Sequence, residues 1–126
     1  MARILVTDDD RYFRALVKAM LLEAGHHVGE AQDGQQCLAA LADLPFDLLI
    51  VDILMPKMDG IEIIRQVRTR NKQIKILAMS GGGTHVPLET SLRMAGQFGA
   101  NAYLTKPFSG PQLYAKLSEL LVSETM

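Results

Sequence analysis

With 126 residues, 48% of them hydrophobic and 21% charged, the chain has the size and composition of one soluble globular domain, and it needs neither a disulfide nor a structural metal to fold. Thirteen basic residues against 14 acidic ones give a formal charge of -1, which argues against direct nucleic-acid binding and membrane insertion as default behaviours. The single Cys37 excludes an internal disulfide and a CxxC site, and so suits a reducing compartment.

The opening "MARILVTDDD" turns acidic after a few apolar residues, too few for a signal peptide or a membrane span, so a cytoplasmic location is expected. Within it "RILVT", Arg3 to Thr7, reads as a first strand. Phe13, Leu16, Val17, Met20 and Leu21 then form the apolar stripe of a first helix that Gly25 ends. A second strand, His27 to Ala31, precedes "QQCLAALAD", where small apolar residues at helical spacing make Cys37 a packing residue rather than a catalytic thiol. The third strand, Asp47 to Val51, runs into Asp52 and "MPKMDG", a turn whose Asp59-Gly60 leads into a third helix. Ile61, Ile64 and Val67 line that helix, with Arg65, Arg68 and Arg70 on its solvated side or at its C-terminal end. Lys75 to Met79 is the fourth strand, and Ala102 to Thr105 the fifth. In the last helix Ser109 is the expected N-cap, Pro111 suits the first turn, and Leu113, Leu117, Leu120 and Leu121 make the stripe. His26, His27 and His85 are too scattered for a metal site, and the seven methionines read as core filler.

Alternating strands and amphipathic helices predict an α/β fold. Strands covered on both faces are continuously apolar, whereas edge strands carry polar residues. The first, third and fourth strands are the apolar ones; the second, with His27, Gly29 and Glu30, and the fifth, with Tyr103 beside Asn101, read as edges. This predicts a flavodoxin-like (βα)5 three-layer sandwich with a parallel five-stranded sheet of order 2-1-3-4-5, spanning 1-126 as one domain. A larger classical Rossmann sheet lacks both the length and the GxGxxG.

In that fold the carboxyl ends of the strands bring Asp8, Asp9, Asp10, Asp52, Ser80 and Lys106 to one edge. Crowded carboxylates repel unless a cation neutralises them, and an all-oxygen donor set suits a hard ion such as Mg²⁺. A lysine and a hydroxyl in the same pocket match a phosphoryl group.

The stretches "ILVTDDD", "LIVDILMPKMDG", "ILAMSG" and "YLTKPF", in this order on these elements, resemble a response-regulator receiver domain of the CheY-like type over essentially the whole chain. That resemblance implies Asp52 as the phosphoacceptor, with Asp8, Asp9, Asp52 and the backbone carbonyl of Leu54 holding Mg²⁺. It implies that Ser80 contacts the phosphoryl oxygens, that Lys106 pairs with them, and that rotation of Tyr103 reports the state of the site. It also implies a cis bond before Pro107, and it assigns Asp10 no role. The expected phosphodonor is a sensor histidine kinase or a histidine phosphotransfer protein, with a downstream protein target on the face of the fourth helix, fifth strand and last helix. No enzyme activity is expected beyond slow self-dephosphorylation. Two competing readings remain: an unphosphorylated pseudo-receiver, and an aspartyl-nucleophile phosphatase of the haloacid-dehalogenase type using Asp8, which would leave Asp52 unexplained. The glycines 81-83 are expected to form a loop that phosphorylation orders.

Overall fold

Each central strand reads as an unbroken apolar run because helices cover both of its faces. The computed structural model describes residues 1-53, 55, 59-81, 93 and 95-121. Its strands are β1 (Arg3–Thr7), β2 (His27–Ala31), β3 (Leu48–Asp52), β4 (Lys75–Ser80) and β5 (Ala102–Thr105), and its helices α1 (Arg11–Glu23), α2 (Gly34–Asp43), α3 (Gly60–Arg70) and a last helix, Gly110–Leu120. Residues 93 and 95-98, ahead of β5, are also helical. The sheet is parallel throughout, in the predicted order β2-β1-β3-β4-β5, with β2 and β5 at the edges.

Alternation along the strands divides the core into two layers. Ile4, Val6, Leu48, Ile50, Leu77, Met79 and Leu104 pack on one side with Val17 and Leu21 of α1 and Leu113 and Leu117 of the last helix. Leu5, Leu49, Val51, Ile76 and Ala78 pack on the other with Cys37 of α2, Ile63, Ile64 and Val67 of α3, and Ala95.

Helix ends follow local chemistry. Asp10, Asp33, Asp59 and Ser109 are the N-caps, and Ser109 forms a reciprocal box with Gln112. After α1, Gly25 takes a φ of 92° and His26 N–H reaches back to the Leu21 carbonyl at 3.1 Å, closing the helix where the sequence expects.

Three expectations change. Strand β3 runs one residue further than its apolar stretch, so Asp52 is a strand residue, and Ser80 likewise belongs to β4. Leu16 is 48% exposed, because it lies about 100° around α1 from the buried Val17. Ile63 is fully buried beside the anticipated Ile64 and Val67. Arg68 lies in the last turn of α3 as expected, and there it is half-buried and tied to backbone carbonyls.

Candidate functional site

The carboxyl ends of β1, β3 and β5 converge because every strand is parallel, and β1 is hydrogen-bonded directly to β3. The ladder continues one residue past the strands: Asp8 N–H donates to the Ala31 carbonyl at 3.1 Å and Lys106 N–H to the Ser80 carbonyl at 3.0 Å. Asp8, Asp52 and Lys106 each follow by two residues a side chain of the α1 layer, namely Val6, Ile50 and Leu104, so the pleat carries all three toward the same side of the sheet.

The loop from Asp8 to α1 is held by short side-chain bonds. Asp8 Oδ1 accepts from Asp10 N–H at 2.9 Å, and Asp10 Oδ1 accepts from the N–H groups of Tyr12 and Phe13 at 3.0 and 3.1 Å. Arg14 donates to the Asp8 carbonyl at 2.6 Å and to Glu30 of β2 at 3.1 Å, and Lys18 meets the same Glu30 at 3.0 Å. These two cations hold the Glu30 carboxyl below the usual range against the opposing effect of burial, Lys18 contributing most.

Lys106 Nζ joins the two buried acids, donating to Asp8 Oδ2 at 2.8 Å and to Asp52 Oδ2 at 3.2 Å. The Asp8 side chain is 0% exposed, that of Asp52 8% and that of Lys106 17%. Burial works to lower the ammonium pKa, but the Asp8 hydrogen bond and the charges of Asp52 and Asp8 outweigh it, and the net shift is upward. Asp9 stands exposed beside them. Asp8, Asp9 and Asp52 each offer a carboxylate oxygen within 4.8 Å of the others. Among the described residues one ammonium is set against these three carboxylates, and oxygen donors at this spacing fit a hard divalent cation.

The fold thus brings Asp8, Asp9, Asp52 and Lys106 together. Ser80 is buried at the end of β4, and Tyr103 is 48% exposed on the edge strand β5. The Lys106–Pro107 peptide is cis. The Leu54 carbonyl, the turn residues 56-58, His85 and most of the glycine loop lie outside the described residues. Three features went unread in the sequence: Asp10 caps α1, Arg14 fastens the Asp8 carbonyl, and Phe13 lies under the Lys106 ammonium. The first had a signal, an acid directly before an amphipathic stretch; the other two depend on tertiary placement. Gly60 is a fourth: its N–H donates to the Ile53 carbonyl at 2.7 Å, and a Cβ there would fall 2.3 Å from the Asp52 carbonyl oxygen. Away from these residues, a groove of about 730 Å³ opens at the opposite end of the sheet, by Ala2, His26 and Tyr114.

Comparison with known proteins agrees with this fold. Residues 4–118 match the family described as the response regulator receiver domain. The response regulator MprA of Mycolicibacterium vanbaalenii is 38% identical over 120 residues, covering 94% of this chain and 50% of that one, so the chain spans about half the length of such relatives. Among solved structures, the chemotaxis protein CheY4 of Vibrio cholerae is 32% identical with a TM-score of 0.87, covering 96% of this chain and 99% of that one. The receiver domain of NtrX from Brucella abortus is 28% identical, also with a TM-score of 0.87, covering 98% and 99% of the two chains. By its match over 4–118 and by its fold, this chain belongs to the response regulator receiver domain family of two-component systems.

Proposed function

We propose that Asp52 accepts a phosphoryl group from the phosphohistidine of a sensor histidine kinase or a histidine phosphotransfer protein. The observation that carries this reading is the shared ammonium: Lys106 holds Asp52 and Asp8 together at a buried strand end, where an unused carboxylate would be costly. In the transfer a carboxylate oxygen of Asp52 attacks phosphorus as the bond from phosphorus to the imidazole nitrogen breaks. That nitrogen keeps the electron pair, and the product is an acyl phosphate. Asp8, Asp9, Asp52 and the Leu54 carbonyl would hold Mg²⁺, which supplies charge neutralisation at the transferring oxygens. Lys106 donates to the phosphoryl group once Asp52 carries it, and the Ser80 hydroxyl supplies a further donor.

The output is a change of protein binding. On this reading Ser80 and Tyr103 shift with phosphorylation and alter the face of the fourth helix, β5 and the last helix. The acyl phosphate hydrolyses slowly in water, and the protein is otherwise a switch rather than an enzyme. The 1-126 chain acts as one receiver unit in the cytoplasm, with no direct role at nucleic acid. Among the described residues no helix is long and apolar enough to cross a membrane.

The test is incubation with Mg²⁺ and a small-molecule phosphodonor, followed by borohydride trapping and mass spectrometry. Label at Asp52, and none in Asp52→Asn with its fold intact, is the expected result. Label at Asp8 would favour the phosphatase reading, and no label the pseudo-receiver.

A further inference from the structure

Lys106 has a third partner besides the two acids. Its Nζ lies 4.5 Å from the centroid of the Phe13 ring, and Phe108 meets that ring edge-on, with centroids 5.3 Å apart and planes at 89°. An aromatic face attracts a cation through its quadrupole, most strongly where water is excluded. Phe13 is half-buried, and its backbone is fixed by the Asp10 cap on one side and by Arg14 on the other.

The three partners differ in what else is asked of them. Asp8 Oδ1 accepts from Asp10 N–H and Asp8 Oδ2 from Lys106, so a divalent cation drawn to Asp8 would share that carboxylate with the ammonium. Asp52 Oδ2 is likewise bonded to Lys106, while Asp52 is the carboxylate proposed to bond phosphorus. Both charged partners of the ammonium are therefore groups whose oxygens the chemistry needs. The ring is the neutral partner that neither metal binding nor phosphorylation consumes. We infer that Phe13 is a positioning residue, whose ring face keeps the Lys106 ammonium at the site while Asp8 and Asp52 change partners. A leucine of similar size would leave the ammonium beside an apolar surface without a quadrupole, and its position would follow its charged partners alone, carboxylate or phosphoryl.

This inference deepens the reading of Asp52 as phosphoacceptor and rests on it for the kinetic readout alone. The first measurement is the NMR shift of the Lys106 ε-methylene, which the ring current of Phe13 moves upfield in the wild type. The upfield shift is expected to persist at saturating Mg²⁺ and after addition of beryllium fluoride, and to vanish in Phe13→Leu. Its collapse to the exposed-lysine value when Mg²⁺ is added to the wild type would overturn the inference. The second is the rate of labelling at Asp52 by the small-molecule phosphodonor. Phe13→Leu should slow it about fivefold or more, and Phe13→Tyr, which keeps the ring, should restore it. Unchanged labelling in the leucine variant, or equal slowing in both, would also overturn it. An unlabelled wild type would sink the phosphoacceptor reading, and the lysine spectra would then judge Phe13 by themselves.

Discussion

At the amino end of the sheet the Arg68 guanidinium donates to the carbonyls of Gly99, Asn71 and Ile74 at 3.0, 3.2 and 2.7 Å and to Asn101 Oδ1 at 2.8 Å, whereas at the carboxyl end the Lys106 ammonium is held by two carboxylates. Both cations are partly buried, but their partners differ in kind. Those of Arg68 are mostly backbone groups near the starts of β4 and β5, and the Asn101 amide oxygen also accepts from Ile76 N–H at 2.8 Å. Nearby, Asp47 accepts from Arg3 N–H at 2.8 Å, and Asn71 from the N–H groups of Gln73 and Ile74. The carbonyls among these partners cannot be exchanged without moving the main chain. The partners of Lys106 are side chains that can turn to another ion while the backbone stays still. A planar fork fits the fixed end and a compact point charge the exchangeable one. One end of the sheet is fastened, and the other is loaded.

Four perturbations bear on that contrast, from the largest expected effect to the smallest. Gly60→Ala places a Cβ 2.3 Å from the Asp52 carbonyl oxygen and 2.6 Å from Ile53 Cα, backbone atoms that cannot rotate aside. It should cost about 3 kcal/mol in urea unfolding and slow labelling at Asp52, since α3 cannot start without displacing β3. Wild-type stability in this variant would mean that the carboxyl end is looser than described. Arg68→Ala strands several carbonyl groups and should cost about 2 kcal/mol while the folded protein labels normally. A matching loss of labelling in folded protein would erase the distinction between the two ends.

Asp9→Ala removes an exposed oxygen donor, so Mg²⁺ affinity should fall about tenfold, or about 1.4 kcal/mol, with the melting temperature unchanged. An unaltered Mg²⁺ titration would remove Asp9 from the donor set. The smallest effect is expected at Cys37, where burial pushes the thiol up to about 11, opposed by the nearby Thr7 hydroxyl and aided by the Asp33 charge. The folded pKa is raised, so this group's contribution to stability is complete below its ordinary value of 9.0 and is lost as pH rises through about 11. Iodoacetamide at pH 8 should therefore leave Cys37 unmodified until the chain unfolds. Rapid alkylation of the native protein would show that the α2 layer opens to solvent.

What could be read from the sequence was periodicity and punctuation. The runs at Arg3–Thr7, His27–Ala31 and Ala102–Thr105 end where they do because a charge or turn residue follows, and the polar content of β2 and β5 marks them as edges. Asp8, Asp9, Asp52 and Lys106 were legible as a group because a parallel sheet gathers strand ends. The strand ends at Asp52 and Ser80 were misread by one residue, since hydropathy sees the loss of apolar character before the ladder stops. The stripe at Phe13 and the late position of Arg68 in α3 were read correctly, but their polar partners were not. An arginine late in a helix and a phenylalanine in a stripe look alike in sequence whether they meet solvent, core, carbonyl groups or an ammonium. Only the packing of α3 near Gly99 and of α1 over Lys106 decides which.

The two apolar layers make the central strands measuring rods. A one-residue deletion inside β1 or β3 would still present hydrophobic side chains to both layers, because each face of these strands is buried. The same deletion would swing Asp8 or Asp52 to the opposite side of the sheet, away from Phe13 and Lys106. The architecture therefore forgives a counting error that the site cannot, and among variants that fold, length changes in these strands should extinguish signalling far more often than substitutions do.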